Sequence, residues 1–72
     1  MAIKLETVQE HLKSWGEIMI TTGAGEVYEL HIGDTQFDLQ NRLIILQTPQ
    51  ARYIIDGEDV SSITMHYGHR EK

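Results

Sequence analysis

The stretch RLIILQTPQARYIID, residues 42–56, decides the fold of this chain. It reads as two strands joined by a tight turn at Pro49-Gln50, where proline presets the backbone angle that a turn requires. Leu43, Ile44, Ile45 and Leu46 are apolar in unbroken succession, and Ile54 and Ile55 repeat this in the second strand. Successive side chains of a strand point to opposite faces. An apolar run therefore needs cover on both faces, which a half-exposed hairpin cannot supply. Other elements of the chain, or a second copy of it, must provide that cover.

Upstream, residues 35–39 form a short strand that leads into this pair through a turn at Gln40-Asn41. VYELHI, residues 27–32, places Tyr28, Leu30 and Ile32 on one face and Val27, Glu29 and His31 on the other. Gly33-Asp34 fits a two-residue hairpin between these two strands. Ahead of them, Ile18 and Ile20 alternate with Glu17, Met19 and Thr21 as another strand, turned at Gly23-Ala24-Gly25. Before Gly16 the period changes from two to about 3.6. Leu5, Val8, Leu12 and Trp15 fall on one side of a helix over about residues 3–15, and Gly16 supplies its C-terminal stop. Thr7 and Glu10 have capping-box spacing, which offers a second start with residues 3–6 extended. Downstream, Gly57-Glu58-Asp59 is a polar break. Val60, Ile63, Met65 and Tyr67 then supply a single turn, capped by Ser61 or Ser62, and a last strand.

The expected architecture is α+β and mainly β. It is a single domain over residues 1–72, with a helix at about 3–15, a meander at about 17–67 and a tail at 68–72. The meander holds five or six short antiparallel strands, with sequential strands as neighbours. Closure of the sheet into a small barrel would cover the doubly apolar strand. Trp15 belongs to the helix stripe and so to the core; exposed, it would mark an interface.

Seventy-two residues lie near the lower limit for unaided folding. A chain this short buries only about 60% of its unfolded surface. There is no cysteine, so neither disulfides nor thiolate metal sites can reinforce it. Idealised packing or self-association must do so instead. Six Lys or Arg stand against eleven Asp or Glu, a net charge of −5, which repels nucleic-acid phosphates. The longest apolar run, residues 43–46, is far short of a membrane span. The start MAIKLETVQE lacks the apolar segment of a signal peptide. These features lead to the expectation of a soluble, cytoplasmic protein with no membrane partner.

Two further stretches carry a resemblance to a known family. ITTGAGEVYELHI is similar to the first strand, turn and second strand of the Sm-like family of small SH3-like barrels. ARYIIDGEDVSSITMH is similar to that family's fourth strand, single helical turn and closing strand, with Val60-Ser61-Ser62-Ile63 at the turn. The resemblance, which spans residues 5–67 and lies mostly in the order of elements, implies a barrel and a ring built by pairing the fourth and fifth strands between subunits. It also implies RNA near a ring pore. The loop before the closing strand is Asp56-Gly57-Glu58-Asp59 here, where the family's bacterial members carry basic or histidine residues. Its carboxylates disfavour RNA.

Local chemistry is sparse. His66 and His69 stand three apart in MHYGHREK, and His31 would approach His66 if the second and last strands were neighbours. Imidazoles grouped in that way can bind zinc, nickel or copper, so His31, His66 and His69 are the metal-ligand candidates. The acidic loop at Asp56, Glu58 and Asp59 lacks the register of a calcium loop. Gly23-Ala24-Gly25 has neither the helix nor the lysine of a phosphate loop. Ser61-Ser62 lies near His66 without a nucleophile elbow. No catalytic residue and no cofactor are expected. The function expected is a non-enzymatic module that binds itself or another protein through Leu43, Ile44, Ile45, Leu46, Ile54 and Trp15. An Sm-like RNA binder and a histidine-based metal protein stand behind it.

Overall fold

The computed structural model describes residues 2–67. Helix α1 (Leu5–Trp15) is followed by β1 (Glu17–Thr22), β2 (Val27–His31), β3 (Thr35–Asp38), β4 (Leu43–Gln47), β5 (Arg52–Asp56) and β6 (Val60–Thr64). The fold is thus one helix and six strands, mainly β, with every strand pair antiparallel. The strands form two three-stranded sheets, β2-β1-β6 and β3-β4-β5. Among the described residues the ladders do not close into a barrel. The expected tail at 68–72 lies outside the described residues.

The helix starts at Leu5, two residues later than the longer reading and two earlier than the capping-box reading. Lys4 precedes it in extended conformation and caps with its carbonyl alone, accepting from Thr7 N–H (3.0 Å) and Val8 N–H (3.2 Å). Ile3 is not helical: its N–H donates to Val60 O at 2.8 Å, which ties the leading segment to β6. At the far end Gly16 takes φ +98° and donates its N–H to Leu12 O at 2.7 Å, the left-handed stop that glycine alone accepts without strain.

The meander breaks at two places. Sequential pairing holds for β1 with β2, β3 with β4 and β4 with β5, but β2 and β3 are not a hairpin. Gly33 does not adopt a positive φ. Instead the Asp34 carboxylate accepts from His31 N–H (3.0 Å), and the chain turns out of one sheet into the other. The second break follows β5. β6 crosses back to pair with β1, with Met19 opposite Thr64 and Ile20 opposite Ile63, and a bulge at Thr21/Thr22. β6 ends at Thr64, three residues before the expected end at Tyr67.

The core sits where the helix stripe meets the inner faces of both sheets. Leu5, Val8 and Leu12 pack with Ile18, Ile20, Leu30, Ile44, Leu46, Ile55 and Val60, all buried. Full burial of one such side chain contributes roughly 1.5–3 kcal/mol. Trp15, half-buried, packs against this cluster. Its indole meets the Tyr67 ring edge-on at 5.7 Å, and Nε1–H donates to His66 O at 3.4 Å.

The start of the helix is held at one junction. Arg42, itself at φ +59°, accepts the Gly57 N–H with its carbonyl at 2.8 Å. Its guanidinium grips both Glu6 oxygens (2.7 and 2.9 Å) and reaches Glu58 at 3.2 Å. The hydrogen bond from Arg42 holds the Glu6 carboxyl below its ordinary value of 4.5, at about 2. Gly57 is buried here, and a Cβ on it would lie 2.7 Å from Arg42 O and 2.9 Å from both Leu5 Cδ atoms.

Two predictions follow from this junction. Gly57→Ala should destabilise the fold by about 1–3 kcal/mol in urea denaturation, because backbone and core must both move. Gly23→Ala, whose Cβ would first meet the movable Asp59 carboxylate, should cost much less. The second concerns pH. A carboxyl depressed by folding stabilises above its unfolded pKa, and that contribution disappears as pH falls from about 4.5 towards 2. The stability difference between the native chain and Glu6→Gln should therefore shrink over that window.

Candidate functional site

The register of the first sheet determines which polar groups meet. β1 lies between β2 and β6, so β2 and β6 are not neighbours. His31 stands opposite Glu17 of β1. His66 lies beyond the end of β6, exposed, and forms part of a cleft with Glu17, Ile18, Met19 and Thr64. His69 lies outside the described residues. The histidine candidates are thus not gathered around one point by strand pairing. His31 meets carboxylates instead.

Alternation on β1 and β2 directs Glu17, Glu29 and His31 to the outer face of the sheet, away from Ile18 and Leu30. His31 Nε2 lies 3.7 Å from Glu17 Oε1 and 3.7 Å from Glu29 Oε2. On the other side of the ring, Nδ1 lies 3.2 Å from Asp34 Oδ2. Asp34 is itself held. Its Oδ1 accepts from His31 N–H at 3.0 Å and from the Thr35 hydroxyl at 2.8 Å. Partial burial alone would raise the Asp34 pKa, but these hydrogen bonds, first from Thr35 and then from His31, outweigh it and hold it low. A charged Asp34 can only accept, so Nδ1 carries the ring proton and Nε2 faces the two glutamates.

This arrangement can do one of two things. A proton on Nε2 turns the ring into an imidazolium between three carboxylates. A divalent cation would take one imidazole nitrogen and two carboxylate oxygens, since those ligand atoms lie within 4.8 Å of one another. Asp34 would then act as the outer carboxylate that orients a ligating histidine. Three ligands fall short of the closed four-ligand set of a structural zinc site. Among the described residues no buried side-chain nitrogen or oxygen lacks a hydrogen-bond partner, so the protein's own geometry does not demand an ion. Only His31 of this group was legible as a candidate. The glutamates required the pairing of Glu17 with His31, which spacing in sequence does not reveal.

The apolar candidates are divided by the pleat of β4 and β5. Ile44 and Leu46 face inward and are buried; Leu43 and Ile45 face outward and are half-buried. Ile54, paired with Ile45, is 58% exposed, while Ile55 beside it is buried. Tyr53 is 39% exposed at the margin of the inner face, edge-on to Tyr28 at 5.7 Å. A separate groove of about 450 Å³ between α1 and β3 is lined by Leu12, Ile32 and Phe37 with Gln9, Lys13 and Gln36. Neither a carboxylate nor a histidine lines it.

The His31 geometry has a direct spectroscopic consequence. The neutral ring should show the Nδ1–H tautomer in long-range ¹⁵N–¹H correlation spectra, and Asp34→Ala should move it towards Nε2–H. Unchanged tautomer populations would show that the Asp34 contact does not orient the ring in solution. Compared with models of known protein families, with curated proteins and with solved structures, the chain matches none.

Proposed function

We propose that the chain is a small non-enzymatic module that works by self-association, with the outer face and free edge of the β3-β4-β5 sheet as its contact surface. The observation that carries this reading is the position of Ile54. It is 58% exposed on a strand with no neighbour on one side among the described residues, and Ile45 and Leu43 lie half-covered beside it. An unpaired strand edge with apolar side chains is a ready template for another strand. The small size of the core points the same way, since ten buried apolar side chains support the described fold without disulfides.

The order of strands supports a barrel-like reading of the two sheets. With β2 and β3 taken as one bent strand, the order becomes β6-β1-β2/β3-β4-β5, as the resemblance to Sm-like barrels implies. β5 and β6 are then the free edges, joined by the turn at Gly57. In the Sm-like arrangement those edges pair between subunits.

The protein should elute as a dimer or larger species at micromolar concentration in size exclusion with light scattering. Ile54→Lys should shift it towards monomer while leaving its circular dichroism unchanged. A monomeric native chain would remove the proposal.

A further inference from the structure

The free edge of β5 is complementary to itself. Gly57 N–H donates to Arg42 O and Thr48 N–H donates to Ala51 O, each at 2.8 Å. Antiparallel ladders alternate hydrogen-bonded and non-hydrogen-bonded pairs. Ile55 and Tyr53, opposite Ile44 and Leu46, therefore spend their backbone groups on β4. The N–H and C=O groups of Arg52 and Ile54 and the N–H of Asp56 point the other way, to the edge where no described strand pairs, and Asp56 O there already accepts from Asp59 N–H at 3.2 Å. The same three residues carry their side chains on the outer face, since Arg52, Ile54 and Asp56 stand opposite Gln47, Ile45 and Leu43.

The sequence of β5, Arg-Tyr-Ile-Ile-Asp, carries opposite charges at equal distances on either side of Ile54. We propose that, within the self-association described above, two copies of this chain pair β5 with β5 in antiparallel fashion about a two-fold axis at Ile54. Ile54 then faces the partner's Ile54 in a hydrogen-bonded pair, and Arg52 faces the partner's Asp56 on both sides of the axis. The outward N–H groups of Arg52, Ile54 and Asp56 each gain an acceptor, with Asp56 O shared between its own Asp59 N–H and the second copy. The two sheets become one six-stranded sheet, β3-β4-β5-β5-β4-β3, whose outer face joins Ile45 and Ile54 of both copies. Tyr53, on the inner face, comes to lie beside the partner's Ile55.

Charge selects this register over its rivals. Parallel pairing in register sets Arg52 against Arg52 and Asp56 against Asp56, and like charges directly opposite are unfavourable. A slip of one residue turns the apolar side chains to the wrong faces. Arg52 has no carboxylate within ion-pair distance among the described residues, so it is available to a second copy. Because one surface patch serves both copies, the contact closes at two and does not propagate.

Two charge reversals and their mixture test the geometry. Arg52→Asp alone and Asp56→Arg alone each place like charges at both ends of the paired strands. Each should weaken the dimer by about 10- to 100-fold in sedimentation equilibrium. An equimolar mixture of the two variants should form a heterodimer close to native affinity, because every end then carries one Arg pair partner and one Asp. Lys13→Glu, which changes net charge as much as Arg52→Asp does, should dimerise normally. Asp56 also accepts the Glu58 N–H at 2.9 Å, so thermal denaturation of each variant confirms that its fold is intact.

Rescue on mixing supports the two-fold β5 contact. Weakened variants that fail to rescue one another, or a native species larger than a dimer, overturn it in favour of head-to-tail assembly. Variants that dimerise as tightly as the native chain also overturn it, yet leave self-association standing. A monomeric native chain removes both readings.

Discussion

The seating of Leu5 against Gly57 is the contact on which the rest of the structure depends. The helix can cover the inner faces of both sheets only if its first turn comes close to the turn between β5 and β6. That approach requires a residue without a Cβ, because the Leu5 methyls and the Arg42 carbonyl already occupy the space one would need. The Arg42 guanidinium adds direction by holding Glu6 and Glu58. These ion pairs are partly exposed, and exposed pairs contribute little stability. Packing at Gly57 carries the junction, and the charges orient it.

From that junction the distribution of apolar surface follows. α1 covers one region of the core, and each sheet turns one face inward. No described element lies over the outer face of β4 and β5, so Ile54 remains in water and Leu43 and Ile45 are covered only in part. The doubly apolar run thus has one face satisfied within the chain. Among the described residues its other face and the adjoining edge of β5 stay open. The His31 cluster is a different kind of feature. It concentrates three carboxylates around one imidazole on the other sheet, with Asp34 fixed by Thr35 and by the His31 backbone. Its first consequence is a defined ring orientation.

Much of this was legible in the residues, for reasons that also mark the limit. The 3.6 period of Leu5, Val8, Leu12 and Trp15 reports a helix face, and Gly16 reports its end, because both are local properties of the backbone. The alternation in residues 17–22 is equally local. Gly33-Asp34 misled because glycine before aspartate suits a hairpin in composition. What decided its geometry was the Asp34 side chain, which accepts the His31 N–H and sends the chain into the second sheet. The start of α1 was ambiguous for the opposite reason. The signal at Thr7 and Glu10 was present, yet Ile3 is extended because its N–H reaches Val60, some fifty-seven positions further along.

The sequence by itself determined the class of α1 and of β1 to β5 and which side of each is apolar, since periodicity depends only on neighbours three, four or two positions away, whereas the turn expected at residues 60–63 is strand β6. The tertiary structure alone decided which strands pair. It placed β1 between β2 and β6, which separates the second and last strands and brings His31 to Glu17 and Glu29. It also left β5 at an edge, so that Ile54 is exposed and Ile55 is not. A strand of period two declares its two faces but carries no mark of its partner. Partners are selected by packing summed over the whole chain, and at Gly57, Leu5 and Arg42 that sum becomes a particular contact.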